Sequence, residues 1–147
     1  MTAHTGYPYT QTITTRWKDN DQYGHVNNLD YYSFFDTVIN TYLIREGQLD
    51  PVAGDVLGFC AESHCRYLQA LSFPNDVDAA MRVTKLGRSS VRYEIGLFAA
   101  GSLEPAAEGW FVHVFVNRSD RKPRDLPAPL RSALSRLLVN VETEVRA

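Results

Sequence analysis

The chain has 147 residues, of which 44% are hydrophobic and 22% charged, and its formal net charge is −2. This length and composition suit one globular domain with a single core, and they exclude a largely disordered chain. The near-neutral charge argues against nucleic-acid binding as the main role. The chain has only two cysteines, which argues against a disulfide scaffold and a zinc site. No apolar run is long enough for a membrane span.

The first part of the chain is expected to be a tail followed by a strand. Residues 1–8 have no basic region leading into an apolar one, so we expect a loose tail, no signal peptide and a cytoplasmic location. The Thr-rich segment Tyr9–Trp17 places Ile13, Thr15 and Trp17 on one face. This alternation predicts a β-strand.

A long amphipathic helix is predicted for Asn28–Glu46, because apolar residues recur there every three or four positions. The predicted buried stripe consists of Leu29, Tyr32, Phe35, Ile39, Tyr42 and Leu43. Asn27 or Asn28 can cap the start of the helix, and Gly47 follows its end, where a left-handed residue is favoured. At about 1.5 Å per residue the helix would be nearly 30 Å long, so we expect it to cross the middle of the domain.

Four further strands and a terminal helix are predicted. The strands are Phe59–Tyr67, Val77–Leu86, Ser89–Ala99 and Gly109–Asn117. Their short links favour antiparallel pairing, with a tight turn at Gly87 and Arg88, and Pro129–Val141 has the pattern of a helix. The predicted fold class is therefore α+β, a single domain over residues 1–147 in which a five- to six-stranded antiparallel sheet wraps around the long helix.

The segment DNDQYGHVNN, residues 19–28, concentrates polar side chains just before the long helix. A calcium loop, a helix cap and an active site are the three interpretations. The calcium loop fails because Tyr23 stands where an oxygen ligand is needed and Asp30 where a longer Glu is usual. A cap explains the two asparagines but gives no role to Asp21.

The active-site interpretation gives these residues a common task. Cleavage of an acyl thioester needs a carboxylate that attacks the carbonyl or activates a water, together with N–H donors for the developing oxyanion. Asp21 can supply the carboxylate, and the free N–H groups at the helix start can supply the donors. Gly24 would let the backbone approach a ligand closely.

The stretch DNDQYGHVNNLDYYSFFD resembles the signature of the hotdog-fold acyl-CoA thioesterases of the 4-hydroxybenzoyl-CoA thioesterase-like group, Asp-x-Asp-x-x-Gly-His-Val-Asn-Asn followed by an aromatic helix start. The later segments ESHCRYLQALSFPNDV, KLGRSSVRYEI and WFVHVFVNRSDRKPRDLP are similar to the family's remaining strands, in the same order. The resemblance implies a hotdog fold, and homodimers or homotetramers with the active site at the subunit interface.

The resemblance also implies roles for individual residues. Asp21 is expected to be the nucleophile or general base, and the backbone N–H of Asn28 is expected to polarise the thioester carbonyl. His25 would either orient the loop or transfer a proton. The residues expected to contact the substrate are Gly24, Asn27 and Tyr31. No metal or cofactor is expected.

Coenzyme A carries phosphates, which basic side chains and hydroxyls bind by charge-assisted hydrogen bonds. The candidates lie at the predicted turn after Leu86 and just after the last strand. The predicted CoA-binding residues are Arg88, Ser89, Ser90, Arg118, Arg121, Lys122 and Arg124. A solvated surface loop is the alternative for these residues. Glu62, His64 and His113 are expected to be structural.

The predicted activity is hydrolysis of an acyl-CoA to a free carboxylic acid and CoA. Two alternatives stay open: release of acyl groups from acyl-carrier protein, and acyl-CoA binding without catalysis. A hydratase is disfavoured because the sequence offers no convincing His–Asp or His–Glu arrangement for one. The sequence does not indicate the acyl group.

Overall fold

The computed structural model describes residues 4–140 of the chain. Its strands are β1 (Tyr9–Ile13), β2 (Val56–Tyr67), β3 (Val77–Leu86), β4 (Ser90–Ala99) and β5 (Ala107–Asn117), and its helices are α1 (Asn28–Arg45), α2 (Ala128–Ser135) and a 3-10 turn, Trp17–Asp19. All strand pairs are antiparallel, in the order β1-β3-β4-β5-β2. The predicted α+β architecture is confirmed, with five strands. The terminal helix is shorter than predicted, because α2 ends at Ser135 and Leu138 forms an isolated bridge with Val83; the predicted end, Val141, lies outside the described residues.

The long helix α1 packs against one face of the sheet. Phe35, Val38 and Ile39 have no exposed surface, and they join one apolar cluster with Phe111 and Phe115 of β5. Burying each such side chain contributes roughly 1.5–3 kcal/mol, so this helix–sheet contact contributes strongly to stability. No described helix is long and apolar enough to span a membrane.

The buried face of α1 confirms the predicted stripe at Phe35, Ile39, Tyr42 and Leu43 but differs from it in the first turns. Leu29, expected to be buried, is 70% exposed, whereas Tyr31 and Phe34 are buried. The aromatic run in the first turns allows either helical phase, so periodicity alone could not decide between them. The Tyr31 hydroxyl accepts a hydrogen bond from Leu71 N (3.0 Å), a long-range contact that the inward phase permits.

The end of α1 also differs from the prediction. The left-handed residue is Gln48, with φ of 61°, and not Gly47. A Cβ on Gly47 would lie 2.6 Å from Leu130 Cδ1 and 2.7 Å from Leu43 O. Glycine is therefore required at this position because α2 packs closely against the end of α1.

Strand β1 is shorter than predicted. Its last residue, Ile13, pairs with Val77, the first residue of β3. Beyond this point β3 offers no backbone partner, so the chain leaves the sheet. It forms the 3-10 turn, which starts at Trp17, and the predicted strand position of that residue was wrong.

The described part of the predicted loose tail is packed against the sheet. The His4 side chain is buried, its ring stacks on Phe98 with centroids 3.7 Å apart, and its Nε2 lies 3.4 Å from Asp78 Oδ2. The prediction of a loose segment is therefore wrong at His4, which Asp78 of β3 and Phe98 of β4 hold, whereas Thr5, Gly6 and Pro8 are exposed.

Candidate active site

The polar segment before α1 folds into a tight loop. Asn20 and Val26 form an isolated antiparallel bridge, Asp21 N donates to His25 O (2.9 Å), and Gly24 N donates to Asp21 O (3.1 Å). Gly24 has φ of +81°, a left-handed conformation that glycine adopts readily. A Cβ there would meet nothing within 4 Å, so this glycine serves the turn and leaves open space beside it.

The connection between β2 and β3, residues 68–76, braces this loop. The three cross-loop hydrogen bonds run from Val26 N to Leu71 O (2.8 Å), from Phe73 N to Asn20 Oδ1 (3.0 Å) and from Ser72 Oγ to Gly24 O (2.8 Å). Because these bonds involve both backbone and side-chain atoms, the loop conformation is fixed by a segment about fifty residues away in sequence.

The two aspartates of the loop have different environments. Asp19 is fully buried, and its carboxylate accepts hydrogen bonds from the Arg16 backbone N–H (2.8 Å) and guanidinium (3.1 Å), while its carbonyl accepts one from Asn27 N (2.8 Å). Asp21 is half-buried, and its Oδ1 accepts a hydrogen bond from Tyr23 N (2.9 Å). No other hydrogen bond or ion pair reaches the Asp21 carboxylate from residues 4–140. Asp19 is thus structural, and Asp21 keeps one oxygen available.

This division also bears on the calcium interpretation. The Asp19 carboxylate would have to supply the first ligand, but it is enclosed and bonded to Arg16. Within the described range, no group of three or more His, Cys, Asp or Glu side chains is placed to hold a metal ion.

The start of α1 leaves one backbone donor free. Asn27 is the N-cap, and its side chain accepts a hydrogen bond from Leu29 N (2.9 Å) while its carbonyl accepts one from Asp30 N (2.9 Å). Asn28 is the first helical residue, and its N–H meets no acceptor among the described residues. This N–H lies at the positive end of the helix dipole, where it favours a negatively charged oxygen.

A shallow cleft lies beside this free N–H. Its lining consists of His25, Val26, Asn28, Tyr31, Tyr67, Leu68, Gln69 and Ala70. A second depression is lined by Asp21, Gly24, Trp17 and Lys18 among others. The His25 ring is exposed and makes no hydrogen bond within the described chain. Asp21 and Asn28 thus line two depressions that the same loop helps to form.

Tyr31 forms a wall of the cleft and not a free donor. Its hydroxyl accepts a hydrogen bond from Leu71 N (3.0 Å) and donates one to Gln69 O (3.4 Å). Burial raises the pKa of Tyr31 above its ordinary value. The side chain therefore holds the β2–β3 connection against the helix.

Tyr67 is a residue of this site that sequence reasoning missed. Its hydroxyl donates a hydrogen bond to Asn28 O (2.8 Å), and its ring meets that of Tyr31 edge to face, 5.0 Å between centroids. Burial, with the neighbouring Cys65, raises the pKa of Tyr67 to about 12. No local spacing connects Tyr67 with the polar loop, because the partners are 39 positions apart.

Most predicted CoA-binding residues lie far from the helix start within one chain. Strands β2 and β5 pair from Val56 with Asn117 at one end to Tyr67 with Ala107 at the other. The loop after β5, residues 118–125, is therefore separated from the helix start by the length of β2, roughly 36 Å at about 3.3 Å per residue. A single chain does not bring the two groups together.

Several of these basic side chains already have partners. Arg118 donates hydrogen bonds to Gly54 O (2.6 Å) and Pro51 O (2.7 Å), so it holds the loop that follows α1. Arg88 forms an ion pair with Asp125. Arg118 therefore has a structural role at the far end of the sheet, whereas the Arg88–Asp125 pair is a solvent-exposed ion pair.

The remaining members of the predicted set vary in availability. Arg124 Nε donates to Asp125 O (3.0 Å), and the Arg121 guanidinium lies over the Phe59 ring at 5.4 Å. Lys122 is exposed, and its side chain makes no hydrogen bond or ion pair inside residues 4–140. The Ser89 carbonyl accepts a hydrogen bond from Phe115 N (2.7 Å), and Ser90 begins β4. Arg121 and Lys122 are the most accessible cations of the set.

The histidines expected to be structural lie outside the loop. His64 stacks on Trp110 with ring centroids 5.6 Å apart. His113 is buried, and its Nδ1 is 3.2 Å from the Tyr93 hydroxyl. Burial lowers the pKa of His113 to about 4, so its imidazole is neutral near pH 7.

Comparison with known proteins finds one family whose members are similar to this chain. Residues 15–134 match the family model of the thioesterase-like superfamily, while no curated protein matches the chain. The chain is 50% identical to the PA5185 protein from Pseudomonas aeruginosa, over 90% of this chain and 93% of that one, with a TM-score of 0.89.

Two further solved structures have the same architecture. A thioesterase from Thermus thermophilus, crystallised with coenzyme A and Zn, is 29% identical over 90% of this chain and 96% of that one, with a TM-score of 0.73. Slr0204, a 1,4-dihydroxy-2-naphthoyl-CoA thioesterase from Synechocystis, is 16% identical over 86% and 95%, with a TM-score of 0.78, and shows the fold alone.

Proposed function

This chain belongs to the thioesterase-like superfamily, with the hotdog fold and thioester hydrolysis as its class of activity, and we propose that its substrate is an acyl-CoA. The products are a free carboxylic acid and CoA. The observation that carries the proposal is the braced loop, in which one Asp21 carboxylate oxygen has no partner and the Asn28 N–H has no acceptor among residues 4–140. The coenzyme A bound to the Thermus thioesterase supports the CoA ester.

In the proposed reaction, Asp21 and Asn28 act on the thioester carbonyl. The Asp21 carboxylate either attacks the carbonyl carbon, giving a mixed anhydride that water then cleaves, or takes a proton from an attacking water. The Asn28 N–H donates to the carbonyl oxygen as negative charge develops there. The C–S bond breaks and CoA leaves as a thiolate, which is a good leaving group.

Neighbouring residues support these two groups. Asn27 fixes the first turn through its cap, Gly24 permits the loop turn, and Tyr31 walls the cleft beside the carbonyl. His25 lines the same cleft as Asn28, where its ring can orient the incoming water or relay its proton.

The proposal includes a dimer that completes the site. Strand β2 is an edge of the described sheet, and Phe59, Tyr67 and Leu68 along and after it are 39%, 43% and 40% exposed. Exposed apolar side chains beside an open strand edge favour pairing with another chain. Antiparallel pairing of two β2 strands would bring the partner's loop 118–125 to the helix start, across the distance that one chain cannot bridge.

Release of thiol from a panel of thioesters tests the activity. Butyryl-, octanoyl-, palmitoyl- and benzoyl-CoA represent short, medium, long and aromatic acyl groups. At least one should be hydrolysed, and Asp21→Ala and Asp21→Asn should lower kcat by at least about 100-fold. Asp76→Asn, at an exposed aspartate outside the loop, is the matched control and should leave kcat unchanged.

The same panel separates the alternatives. Full activity of either Asp21 variant would refute the proposed role of this carboxylate. Faster turnover of the corresponding acyl-carrier-protein esters would favour that substrate over CoA. Tight binding of all four CoA esters without thiol release would favour a binding module.

Mixing two inactive variants tests the shared site. One subunit would carry Asp21→Ala, and the other Arg121→Ala with Lys122→Ala. If the cations act across the interface, mixed dimers should recover roughly a quarter of the wild-type activity, because half of the dimers are mixed and one of their two sites is intact. No recovery, with dimers seen by light scattering, would place the cations and Asp21 of one site on the same chain.

A further inference from the structure

Tyr67 connects the end of the edge strand β2 with the first turn of α1. Its hydroxyl donates to Asn28 O at 2.8 Å, and it lines the same cleft as the free Asn28 N–H. The hydroxyl of Tyr67 therefore bonds to the carbonyl of Asn28, the same residue whose N–H meets no acceptor among residues 4–140. The Tyr67 ring packs edge to face on Tyr31, and the Tyr31 hydroxyl accepts a hydrogen bond from Leu71 N. These contacts hold the Tyr67 hydroxyl in place.

The Asn28 peptide groups are held on both sides. The Asn28 N–H belongs to the Asn27–Asn28 peptide, whose carbonyl Asn27 O accepts a hydrogen bond from Asp30 N (2.9 Å). In the next peptide, Asn28 O accepts from the Tyr67 hydroxyl (2.8 Å) and Leu29 N donates to the Asn27 side chain (2.9 Å). Because both peptide planes that meet at the Asn28 Cα are held, the direction of the Asn28 N–H stays constant, which oxyanion stabilisation requires because the donor must not reorganise during the reaction.

We propose that Tyr67 is a positioning residue that aims the Asn28 N–H at the thioester carbonyl. The inference rests on the proposed function. The hydroxyl acts through the Asn28 peptide and does not touch the substrate. Because the Tyr67 pKa is about 12, its hydroxyl stays protonated and remains a donor across the range in which the enzyme would be assayed.

Replacement of Tyr67 by Phe removes the hydroxyl and keeps the ring contact with Tyr31. With the best substrate of the four-member CoA panel, Tyr67→Phe should lower kcat roughly tenfold and change KM by less than about twofold, because the lost interaction acts in the transition state. Tyr9→Phe removes the same atom from a ring that packs on Tyr42 near the other end of α1 and should leave both constants unchanged.

A vibrational measurement separates positioning from a general loss of stability. With the best panel substrate carrying a ¹³C-labelled carbonyl, bound to the Asp21→Ala protein, the C=O stretch should shift to lower frequency. The shift should shrink in Asp21→Ala with Tyr67→Phe. An unchanged shift, or an unchanged kcat in Tyr67→Phe, would overturn the positioning role. If Asp21→Ala stays fully active, the proposed function fails instead, so the two failures are distinguishable.

Discussion

The two aspartates of the polar loop should separate stability from activity, although only one residue lies between them. We expect Asp19→Asn to lower stability and Asp21→Asn to lower kcat. The substitutions are chemically identical, so each serves as the control for the other. The contrast follows from the environments, since Asp19 is fully buried and Asp21 is half-buried.

The magnitude for Asp19 follows from its two hydrogen bonds. A hydrogen bond to a charged group contributes about 1.5–3 kcal/mol. The bond from Arg16 N counts fully, whereas the guanidinium is on a side chain that is 58% exposed and contributes less. The NH₂ group of an Asn at position 19 would also face one of the two N–H donors of Arg16, where no hydrogen bond can form. Asp19→Asn should therefore cost about 2–4 kcal/mol, and lower Tm by roughly 5–15 °C.

Asp21→Asn should change Tm little, because the Asn oxygen can still accept the hydrogen bond from Tyr23 N. A surface change of this kind is usually worth less than about 0.5 kcal/mol. Thermal unfolding at matched protein concentration, followed by circular dichroism, measures both variants, and kcat is measured well below each Tm. Equal Tm values for the two variants would refute the structural role of Asp19.

Two further predictions concern the core. For His113, the folded-state pKa of about 4 lies below the ordinary value of 6.5, so the unfolded chain takes up a proton first as the pH falls. This residue should therefore cost up to about 3 kcal/mol of stability between pH 6.5 and pH 4, and His113→Phe should flatten the decline of Tm over that range; an unchanged slope would contradict the assignment. For Gly109, a Cβ would collide with His64 O and lie 2.5 Å from Phe35 Cε2, so Gly109→Ala should lower the free energy of unfolding by about 2–3 kcal/mol. Gly101→Ala is the control, because only the positive φ at this position opposes the new Cβ, and it should cost about 1 kcal/mol. If urea unfolding showed Gly101→Ala to be more destabilising than Gly109→Ala, the packing argument would be contradicted.

The parts of the fold that sequence predicts are those with local signals. Strand β3 runs from Val77 to Leu86 as predicted, because its alternation and flanking turns are both local. The start of α1 at Asn28 follows from capping chemistry, with Asn27 as the cap. Strand β1 ends at Ile13 because its partner β3 begins at Val77, and no feature of the first strand reveals where β3 begins.

The residues of the candidate site likewise divide into those with a local sequence signal and those brought together only by the pairing of strands. Asp21 and Asn28 belong to one short motif, so their proximity along the chain indicated a shared role. Tyr67 meets Asn28 only through the pairing of β2 with the sheet, and its own segment carries no polar pattern that marks it. The basic residues after β5 were grouped with the site by their charge alone, and one chain places them at the opposite end of β2.

The brace between the polar loop and the β2–β3 connection has a consequence for amide hydrogen exchange. Val26 N and Phe73 N donate in opposite directions across it, so neither proton can exchange until the two segments part. The Asn28 N–H has no hydrogen-bond acceptor among residues 4–140 and should exchange fastest of the three. The lifetime of the assembled loop is therefore set jointly by two segments that are remote in sequence. A stabilising change in residues 68–76 should slow exchange at Val26 without altering any residue of the motif itself.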